Sequence, residues 1–170
     1  MNPPQPDGEL RILIGGSLVE VAGEAIAKVV EHSFGYARVN VRTIEALPAF
    51  LHAAARSPPD LFLLYLYFGA PADEAVTDPA TSRTEIRDLM ADATDDHACF
   101  VTTCGLRIVT YLRAEFGKPV IVLTGCGNAP GRATAVEQAG GSALLLLPCN
   151  TAECAAAIAI CVERPSKASQ

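Results

Sequence analysis

The chain has 170 residues, half of them apolar, only 19% charged, and a formal net charge of −6. That length and apolar content predict one domain with a sizeable core, and the absence of a basic stripe to neutralise phosphates disfavours nucleic-acid binding. The longest apolar run, residues 61–70, is far short of the roughly 20 residues that a membrane-spanning helix needs. The opening Met1-Asn2-Pro3-Pro4 has neither the basic start nor the apolar stretch of a signal peptide. A soluble, cytoplasmic protein is therefore expected, with residues 1–8 as a flexible arm. In that compartment its six cysteines should be reduced thiols.

Arg11 to Ile14 is a short aliphatic run closed by Gly15-Gly16, which fits a first strand and a turn. Ser17 and Glu20 have capping-box spacing, so a helix should start there and run to about Ser33, with Ala22, Ile26, Val29 and Val30 facing inward. Arg38 to Arg42 alternates valines with polar residues, the pattern of an edge strand. A second helix is expected from about Glu45 to Arg56, stopped by Ser57-Pro58-Pro59. Pro59-Asp60-Leu61-Phe62-Leu63-Leu64-Tyr65-Leu66-Tyr67 reads as a parallel strand buried on both faces. Its carboxyl end is where an α/β sheet places its chemistry, and two tyrosines stand there with no carboxylate.

Regular alternation breaks after Gly69. Between Ala70 and Ala98 there are eight acids and two bases, so the whole negative excess lies in this segment and the rest of the chain is balanced. We expect an insertion over about residues 70–103 carrying one amphipathic helix, capped by Ser82 and Glu85, with Ile86, Leu89, Met90 and Ala93 on its apolar face. Alternation resumes with a helix through Leu106, Val109, Leu112 and Phe116, a strand from Pro119 to Thr124, and a short helix from Ala133 to Ala139. A fifth strand, Ala143 to Leu147, and a helix capped by Asn150 and Glu153 and ending near Val162 complete the pattern. The domain should thus span residues 9–163, with 164–170 a disordered tail. Alternating strands and helices with right-handed crossovers predict a flavodoxin-like three-layer α/β sandwich around a five-stranded parallel sheet of order 2-1-3-4-5.

Outside the insertion, residues 10–162 resemble the receiver domains of two-component response regulators. The third strand is similar to the family's Pro-Asp-Leu strand, and residues 105–114 to its third helix. Lys118-Pro119-Val120-Ile121-Val122-Leu123-Thr124 is similar to its fourth strand, and Ala139-Gly140-Gly141 through Pro148 to its last strand and Lys-Pro ending. The resemblance implies a signalling domain of a phosphorelay, but it also exposes what is missing. Gly16 and Ser17 occupy the place of the acidic pair that holds Mg²⁺, Tyr65 that of the phospho-accepting Asp, and Leu147 that of the lysine. Only Thr124 matches, and Leu144 stands at the aromatic switch position.

Mg²⁺ is a hard cation that needs carboxylate oxygens, and a phenol cannot form an acyl phosphate. The resemblance therefore implies a pseudo-receiver: not an enzyme, without cofactor, binding another signalling protein or a second copy of itself. Any output would be delivered through that partner. The family's usual output face corresponds to residues 131–162, whose few charges are Arg132, Glu137 and Glu153. The acidic insertion would cap the carboxyl pole or recruit a basic partner. A cis Leu147-Pro148 peptide would follow from the family's Lys-Pro bond.

Two other classes stay open. Cys104, Cys126 and Cys149 fall just beyond strands 3, 4 and 5, which neighbour one another at about 4.8 Å. With Cys99 and His97 they could hold zinc or an iron–sulfur cluster, or act as a redox switch. Against this, cysteine is a common small hydrophobe and no Cys-x-x-Cys pair occurs. Cys154, Ile158 and Cys161 follow a helix's inner face and read as core. A small-ligand pocket lined by Gly15, Tyr65 and Thr124 is the third reading. Gly15-Gly16-Ser17 lacks the dinucleotide and P-loop patterns and reads as a tight turn, not an anion site.

Overall fold

The structure, a computed structural model, describes residues 9–16, 20–34, 38–65, 103–124, 131–147 and 149–162. Five strands, β1 (Glu9–Gly15), β2 (Arg38–Ile44), β3 (Leu61–Tyr65), β4 (Val120–Thr124) and β5 (Ala143–Leu146), form one parallel sheet in the order β2-β1-β3-β4-β5. Among the described residues five helices connect or follow them: α1 (Glu20–Phe34), α2 (Leu47–Arg56), α3 (Thr103–Phe116), α4 (Arg132–Gln138) and α5 (Thr151–Val162). This is the sandwich and strand order expected from the sequence. The acidic segment, its capping box, His97 and the Leu147-Pro148 bond lie wholly or partly outside the described residues, as do the terminal arm and tail.

The three-layer arrangement follows from the alternation of side chains along each strand. Leu13, Phe62, Leu64, Val120 and Val122 point to one face, where they pack with α2, α3 and Val136 of α4. Leu10, Ile12, Ile14, Leu61, Leu63, Ile121, Leu123 and Leu145 point to the other, against Ile26 and Val30 of α1 and the inner side of α5. Leu61 through Leu64 of the central strand have no accessible surface at all, as a strand covered on both faces requires. On the α2 face, Phe62 sits between Phe50 and Phe116, with ring centroids 5.9 Å and 5.5 Å away and tilted ring planes. Such tilted pairs favour edge-to-face contact over a flat sandwich. Cys154, Ile158 and Cys161 are buried in the second cluster.

Several boundaries differ from the sequence reading by a residue or two, and two of the differences have a clear cause. β2 continues to Ile44, because Ile44 pairs with Gly15 and its carbonyl accepts the Gly16 N–H at 3.1 Å. α2 consequently begins at Leu47 instead of Glu45, with Pro48 in its first turn, where a missing N–H costs nothing. The last helix starts as its sequence indicates. The Asn150 side chain accepts the Glu153 N–H at 2.8 Å, and the Glu153 carboxylate accepts the Asn150 N–H at 3.0 Å. This reciprocal cap satisfies two otherwise unpaired donors and is worth about 1 kcal/mol. Among the described residues, no helix is long and apolar enough to cross a membrane.

Candidate functional site

In a parallel α/β sheet the carboxyl ends of the strands form one pole, and here β1, β3 and β4 bring Gly16, Tyr65 and Thr124 to it. What the sequence does at this pole is to replace side chains by backbone. Gly16 has φ +117°, a conformation that L side chains rarely adopt. A Cβ built on Gly16 would lie 2.1 Å from the Tyr65 carbonyl oxygen and 2.9 Å from the Tyr65 carbonyl carbon. One residue earlier, a Cβ on Gly15 would lie 2.6 Å from two ring carbons of Phe50. The end of β1 is thus wedged between the backbone of β3 and a core aromatic of α2, and neither glycine leaves room for a carboxylate.

Tyr65 is half-buried and packs against the α1/α5 core. Thr124 is buried to 1% exposure, and its carbonyl accepts the Leu147 N–H at 2.7 Å. That bond carries the β4–β5 pairing one step past the end of β5. Leu147, expected from the sequence resemblance at the lysine position, is half-buried against the same core and contributes no charge. Leu144 packs against the α2/α3 core. Ser17, aligned with the second acid, lies outside the described residues.

Of the four thiols considered as metal ligands, only Cys149 has a described side chain. Cys99 and Cys126 lie outside the described residues, and Cys104 falls in the first turn of α3 with its side chain outside them. Among the described residues no group of three or more His, Cys, Asp or Glu side chains is placed to hold a metal ion. Cys149 is a half-buried free thiol packed on the α1/α5 core, and Cys154 a buried one. Burial, and secondarily the Glu153 carboxylate, raises the Cys149 thiol above its ordinary range. Burial, with a smaller contribution from Cys149, pushes Cys154 up to about 11. A reactive thiol needs the opposite environment, one that favours the thiolate.

The three residues expected on the partner face sit as follows. Glu137 and Glu153 are exposed, but Glu153 is already engaged in its helix cap. Arg132 is half-buried at the start of α4. Sequence reasoning missed the two large apolar side chains that β5 and α5 expose, Leu146 at 37% and Ile160 at 47%. The signal was present in α5: Ala152, Ala156 and Ile160 recur at helical spacing and are all exposed, an apolar stripe where an ordinary surface helix carries charge.

No family model and no curated protein matches the chain in sequence. Solved structures do match it in shape. The signal receiver domain of a protein described as a Luxo repressor, from Vibrio parahaemolyticus, superposes with a TM-score of 0.61 at 16% identity, covering 92% of both chains. A two-component response regulator from Clostridium difficile gives 0.60 at 13% identity, covering 91% of this chain and 97% of that one. The isolated REC domain of RcsB from Salmonella enterica serovar Typhimurium, in the presence of phosphomimetic BeF₃⁻, gives 0.58 at 18%, covering 89% and 87%. The chain therefore has the receiver-domain fold.

Gly16→Ala is expected to cost about 2–3 kcal/mol, from strained φ and the collision with Tyr65. Gly117→Ala, also at positive φ but with nothing within 4 Å, should cost only about 1 kcal/mol. Urea unfolding of the two variants compares them directly. At pH 8, residue-resolved mass mapping of alkylation should find Cys154 modified only when the chain unfolds. Its thiol has a folded pKa of about 11 against an ordinary 9.0, so the unfolded state releases this proton first. The contribution to stability is intact below pH 9 and declines as pH rises through the folded value.

Proposed function

We propose that this protein is a pseudo-receiver: a signalling domain of two-component type that acts by docking to another protein, without phosphorylation, divalent metal or catalysis. The observation that carries the reading is the end of β1, where Gly16 abuts the Tyr65 backbone and Gly15 abuts Phe50. The acidic pair has no replacement there and the acceptor position is a phenol. Phosphoryl transfer needs a metal and a cation to offset developing charge, and Gly16, Tyr65 and Leu147 supply neither. A covalent switch that cannot be charged cannot bias two conformations.

Output on this reading passes through α4, β5 and α5. These elements carry the exposed Leu146 and Ile160 and few charges. Exposed apolar side chains set in a weakly charged surface suit association with a second protein or a second copy of this chain. On this reading the protein acts in the cytoplasm.

Incubation with acetyl phosphate and Mg²⁺, followed by intact mass measurement at neutral pH, should leave the mass unchanged. The RcsB domain, studied with a phosphate mimic, makes BeF₃⁻ a suitable second probe. It should leave the amide spectrum of this protein unchanged. An adduct of one phosphoryl mass, or saturable shifts around Tyr65 and Thr124, would refute the proposal.

A further inference from the structure

β2 lies at the edge of the sheet and pairs only with β1 among the described residues. Natural proteins blunt such edges by shortness, proline, a bulge or charged side chains, because a bare edge is a template for another strand. β2 is neither short, bulged nor interrupted by proline, and the charges it carries, Arg38 and Arg42, are of one sign. Together with β1 it is the longest strand of the sheet, with seven residues and seven unbroken register pairs. Its sequence, Arg-Val-Asn-Val-Arg-Thr-Ile, contains no proline and no lysine.

The direction of its backbone follows from one bond. The Ile44 carbonyl accepts from Gly16, so Ile44 faces β1. In an extended strand the N–H and C=O of one residue point the same way and those of the next point oppositely. Arg38, Asn40 and Arg42 therefore bond toward β1, and Val39, Val41 and Thr43 present their amide and carbonyl groups away from the sheet.

The side chains divide just as regularly. Val39 and Val41 are half-buried over the α1 core, and Thr43 shares that face. Arg38, Asn40 and Arg42 are exposed on the opposite face. Beside them on β1, Arg11 is already paired with Asp60 at 3.5 Å, and Glu9 accepts a bond from Asn40 at 3.4 Å. Arg38 and Arg42 have no ion-pair partner among the described residues. In a chain of net charge −6, this edge carries two arginines on one face, with the single carboxylate of Glu9 in register opposite Arg38.

We propose that β2 is a docking edge for an extended partner segment in which acidic and aliphatic residues alternate, added to the sheet as a sixth strand. The partner's backbone would bond Val39, Val41 and Thr43. Its acidic side chains would fall on the face of Arg38 and Arg42, its aliphatic ones beside Val39 and Val41. Charge selects this occupant over a second copy of the chain, since pairing β2 with another β2 brings arginines together on one face. The inference stands on β2 alone and does not depend on how the pole is read.

The test uses the full chain and a short labelled peptide in which glutamate alternates with valine and threonine, followed by fluorescence anisotropy. Saturable binding is expected, weakening as salt is raised and falling by about tenfold or more in the double variant Arg38→Glu, Arg42→Glu. The lysine-for-glutamate peptide should not bind. Hydrogen exchange on the wild-type protein should show the amides of Val39, Val41 and Thr43 gaining protection with the glutamate peptide. Binding that survives the double variant, or that leaves those three amides unprotected, would overturn strand addition. So would failure of the glutamate peptide to bind.

Discussion

At the carboxyl pole backbone rests on backbone, with the Cα of Gly16 against the carbonyl of Tyr65. The contact requires a residue with no side chain and positive φ on β1, and it draws the end of β1 onto the end of β3. Phe50 then closes over Gly15 from α2. The two interactions hold each other in place: a side chain at either glycine would push apart the strands or displace a core aromatic that itself packs on Phe62. Interiors are close-packed and respond to such displacements as a unit. The pole is consequently continuous with the core, and neither Gly15 nor Gly16 leaves room for a side chain.

This arrangement bears on function through what it withholds. A receiver-like fold gathers the ends of its parallel strands, and a charged site there would need carboxylates for a cation and a base for an anion. On the proposed reading the corresponding positions hold glycine, tyrosine and leucine, and Thr124 is sequestered at 1% exposure. Surfaces away from the pole are less ordinary. One edge presents a long strand with two arginines on a single face, and the face around α5 presents an apolar stripe. On the proposed reading these surfaces, in place of a phosphoryl group, carry the protein's specificity.

Much of the architecture was legible in the sequence because its signals are local. The aliphatic run of β3 specifies a strand buried on both faces, and Asn150 with Glu153 specifies the start of α5 three residues apart. The i, i+4, i+7 placement of Cys154, Ile158 and Cys161 specifies that helix's inner side. The misses are equally physical. Ile44 belongs to β2 because of a pairing with Gly15, which no periodicity within residues 38–44 reveals. The fit of Gly16 to Tyr65 joins positions forty-nine residues apart and depends on interstrand distance. Cys149 and Cys154 share the α1/α5 core, while Cys104 and Cys126, which the strand order placed beside Cys149, have side chains outside the described residues.

Whether the carboxyl pole can hold a divalent cation is the decisive property of this molecule. Titration of the isotopically labelled protein with Mg²⁺, read as amide shifts by two-dimensional nuclear magnetic resonance, addresses this at the level of single residues. The account predicts that the amides of Gly15, Gly16, Tyr65 and Thr124 stay in place up to millimolar metal. Saturable, residue-specific movement of those amides would mean that carboxylates converge on the pole and that the chemistry thought to be lost is still there.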